Sequence, residues 1–184
     1  HFLTERFDRQ ESKKIHIQTL AALNPSSDCY EDLFDTACRI GVLPSEQKLL
    51  FLQVVMNVLG GNVDDHNKNF SFLMGSDGVW HTAPAYDYTF SVDPSAPGYI
   101  NRHCMTINNK NSDIERSDLL ELAKRYNIKG ADAIIEKAIS IVGNYERYAE
   151  TAGVSPLWIH KIKEEIGCRI DNIAGISSGD CERG

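Results

Sequence analysis

The chain has 184 residues, of which 42% are hydrophobic and 24% are charged, enough for one folded domain with a buried core. Its net charge of −7 disfavours direct binding to nucleic acid, because a surface that binds the phosphate backbone needs a basic patch. No stretch approaches the roughly 18 consecutive apolar residues of a membrane span and no signal peptide opens the chain, so a cytoplasmic protein is predicted.

The first part of the chain predicts one extended segment and one helix. Residues 5–8 can form an amphipathic strand whose side chains alternate between two faces. Ser27 or Asp28 is predicted to cap the helix that follows, and Gly41 to end it in the left-handed conformation that favours glycine.

A second helix is predicted from Pro44, because proline is favoured in the first turn of a helix. Its later part, residues 49–59, carries apolar side chains on nearly every face, so this helix is predicted to be buried on all sides. A buried helix is a rigid support. The polar loop that begins at Gly60 and Gly61 is therefore predicted to be held firmly in place.

A β-hairpin is predicted after this polar loop. Residues 70–74 form the first strand, residues 79–82 form the second, and the Gly-rich turn at residues 75–78 joins them. The hairpin is expected to bring Asp87 back beside the polar loop.

The polar loop and Asp87 have the spacing of a phosphoryl-transfer site. In the catalytic loop of protein kinases an Asp accepts the proton of the substrate hydroxyl, an Asn five positions later holds magnesium, and a downstream Asp supplies a second magnesium contact. Asp64 and Asn69 have this five-residue step, and Asp87 has the downstream position. Carboxylate and amide oxygens are the hard ligands that Mg²⁺ prefers.

The same residues also have a purely structural interpretation. Asp64, Asp65 and His66 can form a solvated turn, and the asparagines around them can be ordinary loop residues. The step from Asp64 to Asn69, with the buried helix before it and Asp87 after it, favours the phosphoryl-transfer site. Asp65 does not have the five-residue spacing to Asn69 and is predicted to be structural. His66 can either contact phosphate or brace the backbone.

After Asp87 the chain is predicted to form a loop and then three helices. Residues 91–101 are rich in Pro, Ser and Gly, which is typical of a loop. Ser117 is predicted to cap the first helix, and residues 131–149 to form the second as one continuous element.

The third helix is predicted to begin at Ser155 and Pro156, with Leu157 and Trp158 on its apolar face. The tail at residues 177–184 is small and polar, and it is predicted to fray.

Two motifs in the centre of the chain are specific in combination. They read Gly61-Asn62-x-Asp64-x-His66-x-Lys68-Asn69-Phe70-Ser71 and Ala83-Pro84-Ala85-Tyr86-Asp87. Together they resemble the C-terminal lobe of the HipA-like serine/threonine kinases, the toxins of bacterial toxin–antitoxin pairs. Residues 3–9 with Ile15-His16 are similar to the hinge segment of that family, and residues 105–111 to its post-catalytic strand.

The resemblance implies a mainly α fold with a small β-hairpin, a protein-kinase-like C-lobe, over residues 1–176. It divides this lobe into a hinge segment at residues 1–9, a catalytic loop and metal-binding hairpin at residues 60–90, and a helical subdomain at residues 116–176. The loop at residues 91–101 would then lie where a protein substrate docks.

The resemblance also implies a role for each residue of the candidate site. Asp64 would be the catalytic base, and His66 and Lys68 would complete the catalytic loop beside the phosphates of ATP. Asn69 and Asp87 would hold Mg²⁺.

In the hinge segment the backbone of Glu5 and Phe7 would face the adenine of ATP, and Asp8 would face the ribose hydroxyls. The sequence has no Gly-rich phosphate-binding motif, and it starts at His1 without an initiator Met. An N-lobe is therefore expected upstream in a longer protein or on a separate polypeptide. The sequence Asp87-Tyr88 stands where other kinases have Asp-Phe-Gly, which weakens the analogy to activation-loop switching.

Two function classes follow from these residues. The first is an ATP- and Mg²⁺-dependent serine/threonine protein kinase of HipA type, which would act on a component of translation, arrest growth, and pair with a helix-turn-helix antitoxin. The second is a non-catalytic kinase lobe that binds an antitoxin or a separate N-lobe subunit. The trio of Asp64, Asn69 and Asp87 favours the first class. A small-molecule kinase is disfavoured by the resemblance outside the catalytic loop.

Overall fold

The computed structural model describes residues 5–11, 13–93 and 101–176. In these ranges the protein is mainly helical, with two small antiparallel sheets. The helices are α1 (Leu20–Leu23), α2 (Tyr30–Arg39), α3 (Pro44–Leu59), α4 (Arg116–Arg125), α5 (Ala131–Val142), α6 (Tyr145–Thr151) and α7 (Pro156–Ala174); the strands are β1 (Arg9–Gln10), β2 (Lys13–Lys14), β3 (His16–Thr19), β4 (Ser71–Met74) and β5 (Trp80–Thr82). No helix in the described ranges is long and apolar enough to cross a membrane.

Helix α3 is the centre of the core, and α2, α5 and α7 pack against it. Its buried apolar side chains are Leu50, Phe51, Val54, Val55, Val58 and Leu59. Burial of each aliphatic or aromatic side chain of this size contributes about 1.5–3 kcal/mol. The prediction that α3 is buried on all sides is wrong, because Leu49 is 53% exposed and the face with Leu52 and Met56 borders a cavity.

The predicted hairpin exists as β4 and β5, but it belongs to a larger sheet. Strand β3 pairs antiparallel with β4 along its other edge, so the sheet has three strands in the order β3-β4-β5. The prediction of a lone small hairpin was therefore incomplete. Strand β3 satisfies the backbone groups that the edge of β4 would otherwise leave unpaired, and the contact spans more than fifty residues of sequence.

The opening segment differs from the predicted strand. The chain turns at Phe7 and Asp8, and the paired strands β1 and β2 come only after this turn. The Arg6 guanidinium donates two hydrogen bonds to the Asp8 carboxylate, at 2.8 and 2.6 Å. Phe2 and Leu3, in the predicted hinge segment, and residues 177–184, which are predicted to fray, lie outside the described residues.

Two helix starts lie next to the predicted ones. Cys29, rather than Ser27 or Asp28, is the N-cap of α2. Helix α4 begins after Glu115, whose side chain forms a reciprocal capping box with Asp118, so the prediction of Ser117 as the cap is wrong.

The predicted continuous helix at residues 131–149 is wrong, because it breaks into α5 and α6 at Gly143 and Asn144. Glycine weakens a helix interior, and the break lets α6 pack on α7. Helix α7 begins at Pro156 as predicted. Leu157 and Trp158, two of the apolar residues of the predicted helix, are 63% and 50% exposed.

Candidate active site

The polar loop between α3 and β4 is packed directly against residues 88–92. Gly60 ends α3, and a Cβ atom there would lie 1.8 Å from the Tyr88 hydroxyl. Gly61 has a φ of +65°, and a Cβ there would lie 2.9 Å from the Phe90 ring. The two glycines therefore allow the segment after Asp87 to lie on the backbone of the loop.

The other side of the loop is anchored to the region around α1. The side-chain nitrogen of Asn67 donates to the Ser27 backbone carbonyl at 2.8 Å. The backbone carbonyl of Asn67 accepts from the Ala21 backbone amide at 3.1 Å. The Leu20 amide also donates to the Phe70 carbonyl at 2.8 Å. The loop is thus held on two sides, as its predicted role requires.

The structure brings Asp64 and Asn69 together. The Asn69 amide nitrogen donates to the backbone carbonyl of Asp64 at 2.9 Å, so the Asn69 Oδ1 atom points its lone pairs elsewhere. The Asp64 side chain is 63% exposed on the surface of this fixed loop. A solvent-facing carboxylate on a rigid backbone can accept a proton from a bound hydroxyl.

Asp65 has the opposite environment and is structural, as predicted. It is fully buried, and its carboxylate accepts hydrogen bonds from the Tyr30 hydroxyl, from His103 Nδ1 at 2.8 Å and from the Cys104 amide at 2.7 Å. Burial, followed by the charge of Asp65, raises the pKa of Tyr30 well above its usual range. Burial also raises the pKa of the Cys104 thiol, whose sulfur lies 3.8 Å from Asp64 Oδ1.

His66 and Lys68 are both on the loop but have different surroundings. His66 Nε2 lies 3.9 Å from Asp64 Oδ1, while His66 Nδ1 is buried without a hydrogen-bond partner among the described residues. Lys68 is exposed, and its backbone carbonyl accepts from the Tyr86 hydroxyl at 2.6 Å.

The hinge residues and Lys68 line one cavity of about 440 Å³, a size typical of small-molecule sites. The predicted nucleotide contacts Glu5, Phe7 and Asp8 all border it. Asp8 is already paired with Arg6, and the Arg6 hydrogen bond lowers the pKa of the Asp8 carboxyl. The sequence prediction did not include this ion pair.

Asp87 lies between two tyrosines, one of which is bonded to the loop and the other to helix α3. Before it, Tyr86 binds the Lys68 carbonyl; after it, the Tyr88 hydroxyl donates to the Met56 carbonyl at 2.7 Å. Asp87 itself has a φ of 53°, in the left-handed region that non-glycine residues rarely adopt. Its exposed carboxylate makes no hydrogen bond or ion pair with the residues that the structure describes. Strained backbone of this kind is often found at functional positions.

A second cavity, of about 250 Å³, lies on the other side of Tyr86. Tyr86 borders both cavities, and its ring lies 5.8 Å from that of Phe7. Tyr88 and Asn69 line the second cavity, so the residues on either side of Asp87 meet Asn69 there. Burial raises the pKa of Tyr88 to about 12, so its hydroxyl stays a hydrogen-bond donor at neutral pH.

The side-chain oxygens of Asn69 and Asp87 accept no hydrogen bond from the described residues, and oxygens of this kind are the ligands that Mg²⁺ prefers. A second group, Asp28, Cys29 and Asp32, has ligand atoms within 4.8 Å of one another. There, burial raises the pKa of the Cys29 thiol to about 12, which disfavours the thiolate form that binds metals.

Sequence reasoning missed Ser91, Tyr88 and the hydroxyl contacts of Tyr86. The two tyrosines could have been found from the sequence, because Tyr86 and Tyr88 directly flank the predicted metal ligand Asp87. For Ser91 there was no local signal, because its partners lie in a loop almost thirty residues away.

Comparison with known proteins gives one family and one fold. The family model of the HipA-like C-terminal domain matches residues 1–149. HipA in the solved complex of a toxin–antitoxin system from Shewanella oneidensis MR-1, with HipB and operator DNA, is similar with a TM-score of 0.65 and 17% identity. The match covers 93% of this chain but 48% of that one. No curated protein matches the chain.

Proposed function

This chain belongs to the family of HipA-like C-terminal domains, and from that premise we propose that it is the kinase-like C-lobe of an ATP- and Mg²⁺-dependent serine/threonine protein kinase. Asp64 accepts the proton of a protein hydroxyl as the hydroxyl oxygen attacks the terminal phosphorus of ATP. The bond from that phosphorus to the bridging oxygen breaks, and ADP leaves.

The observation that carries this proposal is the fixed, exposed position of Asp64. Its side chain is 63% exposed, while its backbone is held by Asn69 through the carbonyl and by Ser91 through the amide. Most of the catalytic effect in phosphoryl transfer comes from positioning and electrostatics, so such a base must be both accessible and fixed.

Asn69 Oδ1 and the Asp87 carboxylate are the metal ligands in this proposal. Both are hard oxygen donors, and Asp87 uses none of its oxygens on the described protein. When bound, Mg²⁺ would neutralise the charge of the phosphates. Lys68 and His66 complete the phosphate side of the site, since Lys68 borders the hinge cavity and His66 lies beside Asp64.

The hinge cavity is the proposed nucleotide site. Backbone groups of Glu5 and Phe7 face the adenine, and the Phe7 ring, supported by Tyr86, gives an apolar surface beside it. Asp8 binds the ribose hydroxyls, and its pair with Arg6 fixes the carboxylate for that purpose.

The partners follow from the length of the similar HipA chain. Because the match spans 48% of that chain, we propose that an N-lobe, in the same polypeptide or in another, covers the nucleotide. That HipA was solved with HipB and operator DNA, and we propose a helix-turn-helix antitoxin partner here as well. With a net charge of −7, this chain would reach DNA only through such a partner. A cytoplasmic protein of the translation machinery is the proposed substrate.

Asp64→Asn in the complete two-lobed protein tests the proposal. The variant keeps the size of the side chain but loses the base, so transfer of labelled phosphate from ATP to protein should fall at least about 10²-fold. The fold should persist, because the Asp64 side chain is exposed. Asp77→Asn, in the exposed hairpin turn, is the matched control and should transfer at the parent rate.

Turnover of Asp64→Asn at the parent rate would remove Asp64 from the role of base. Absence of transfer by the parent protein, with intact binding to an antitoxin or an N-lobe subunit, would instead favour a non-catalytic binding lobe.

A further inference from the structure

A row of side-chain hydrogen bonds runs through the interior from Ser91 to Asp65. Ser91 Oγ donates to Asn62 Oδ1 at 3.4 Å, and Asn62 Nδ2 donates to Asn57 Oδ1 at 3.0 Å. Asn57 Nδ2 then donates to the Tyr30 hydroxyl oxygen at 3.3 Å, and the Tyr30 hydroxyl donates to the Asp65 carboxylate. Every donor in this relay therefore points towards the carboxylate.

The relay is shielded from water over most of its length. Tyr30 and Asp65 are fully buried, and Asn62 and Asn57 are 2% and 5% exposed. In such a low-dielectric interior, hydrogen bonds that share one direction polarise and strengthen one another. The negative end at Asp65 thus strengthens each bond back to Ser91.

At its outer end the relay holds the backbone of the candidate catalytic loop. Ser91 Oγ accepts hydrogen bonds from the Val63 amide at 2.8 Å and from the Asp64 amide at 3.0 Å. Its own hydrogen is used towards Asn62, so its lone pairs are directed at these two amides. The backbone amide of Ser91 donates to the Gly61 carbonyl at 3.0 Å, which ties the segment after Asp87 to the same loop.

We propose that Ser91 is a positioning residue, which fixes the backbone of Asp64 and joins the Asp87 segment to it, and that the relay to buried Asp65 supports this hold. The effect on phosphoryl transfer rests on the proposed function. The hold on the two amides does not, and it can be measured separately. Asp65 acts here only through other residues, whereas its neighbour Asp64 faces the substrate.

Amide hydrogen exchange on the complete protein tests the hold. In Ser91→Ala the amides of Val63 and Asp64 lose their acceptor, and their exchange should speed up about fivefold or more. Ser91→Thr keeps the hydroxyl and should retain slow exchange. Tyr30→Phe interrupts the relay without touching Ser91, and exchange at Asp64 should rise about twofold. Ser76→Ala, in the exposed hairpin turn, is the control and should change nothing.

The same variants test positioning through kinetics. Ser91→Ala should lower kcat about tenfold while the KM for ATP stays the same, because a misplaced base impairs the reaction and not nucleotide binding. Ser91→Thr should restore kcat. The proposal would be overturned if amide exchange at Val63 and Asp64 were unchanged in Ser91→Ala. It would also be overturned if Ser91→Thr lost as much kcat and amide protection as Ser91→Ala does.

The two arms separate this proposal from the proposed function. Faster exchange in Ser91→Ala, in a protein that transfers no phosphate at all, would support the hold and refute the kinase function. Faster exchange with an unchanged kcat, in a protein that does transfer phosphate, would overturn the positioning role of Ser91.

Discussion

Two adjacent aspartates in the loop have opposite fates. Asp65 is fully buried and its carboxylate is surrounded by hydrogen-bond donors, whereas Asp64 is 63% exposed and uses its backbone, not its carboxylate, to hold the loop. A buried carboxylate is tolerated only when donors satisfy it. The loop therefore uses the carboxylate of Asp65 as an anchor, and the carboxylate of Asp64 stays exposed to solvent.

The variant Asp87→Asn separates the proposed metal role of Asp87 from its role in the backbone conformation. Asn accepts a positive φ about as well as Asp does, so the segment should keep its conformation and the protein its melting temperature. A neutral amide binds Mg²⁺ more weakly than a carboxylate. The Mg²⁺ concentration for half-maximal phosphate transfer should therefore rise on the order of tenfold or more.

Magnesium titrations of the parent and of Asp87→Asn, with circular-dichroism melting of both, measure these effects. An unchanged Mg²⁺ requirement would show that Asp87 is not a ligand.

The residues of the candidate site were predictable where they lie close together in sequence. Asp64 and Asn69 are five positions apart, and the same spacing distinguished Asp64 from Asp65. Ser91 and Tyr88 were not predictable, because their contacts with Asp64 and Met56 bridge about thirty residues. Contacts of this range depend on tertiary packing, which leaves no local pattern.

At the scale of elements, the hairpin β4–β5 is fastened to the start of α3. Glu46 in the first turn of α3 accepts from the Thr82 amide at 2.8 Å, and its other oxygen lies 2.8 Å from His81 Nδ1. Thr82 directly precedes the segment that leads to Asp87. These contacts therefore fix the start of the segment that carries Asp87, the proposed metal ligand.

The contact between His81 and Glu46 should make stability depend on pH. The hydrogen bond to Glu46, followed by its charge, raises the pKa of His81 above the ordinary value of 6.5. A raised folded-state pKa means that the stabilisation is complete below pH 6.5 and is lost as pH rises through the higher folded value. The melting temperature of the parent should therefore exceed that of His81→Gln at about pH 6, and the difference should shrink towards about pH 8.

Thermal melts of the parent, His81→Gln and Glu46→Gln across this pH range measure the effect. Glu46→Gln keeps an oxygen for the Thr82 amide but removes the charge, so its melting temperature should show the same reduced pH dependence as that of His81→Gln. If the melting temperatures of the parent and of His81→Gln differed by the same amount at all pH values, the ion pair between His81 and Glu46 could not be the cause of that difference.

Elements with a strong local signal were predicted, and elements that depend on neighbours were not. Helix α3 and the hairpin follow from an apolar run, Pro44 and a Gly-rich turn. Strand β3 has only four residues and is recognisable only by its pairing with β4. The break between α5 and α6 falls at Gly143 and lets α6 pack on α7, a tertiary contact that the helical pattern around it does not show.

At the scale of the whole molecule, the candidate site lies along one side of the α3 core. The hinge cavity and the second cavity adjoin each other at Tyr86, and both are open on the described part of the chain. The apolar face of α3 with Leu52 and Met56 borders the second cavity. The Phe7 ring is partly buried, because it packs against Tyr86.

This arrangement leads to a prediction about the chain on its own. Adenine in a kinase lies between two lobes, and a Gly-rich loop and a lysine cover the phosphates, so one lobe leaves much of the nucleotide in water. The sequence has no Gly-rich phosphate motif, and Lys68 is the only lysine that borders the described hinge cavity. Calorimetric titration of ATP with Mg²⁺ into the 184-residue chain should therefore give weak binding, with a Kd on the order of 1 mM, and phosphate transfer should be negligible.

The same titration of the chain together with the proposed N-lobe should give a Kd that is lower by about tenfold or more, because the second lobe removes the nucleotide from water and neutralises its charge. Omission of Mg²⁺ is the control, and it should weaken binding in the two-lobed protein far more than in the single lobe, where the phosphates are already hydrated. Micromolar binding and robust transfer by the chain alone would show that Asp64, Asn69 and Asp87 form a complete site without a second lobe. In that case the open cavity beside Tyr86 would itself have to close around the nucleotide.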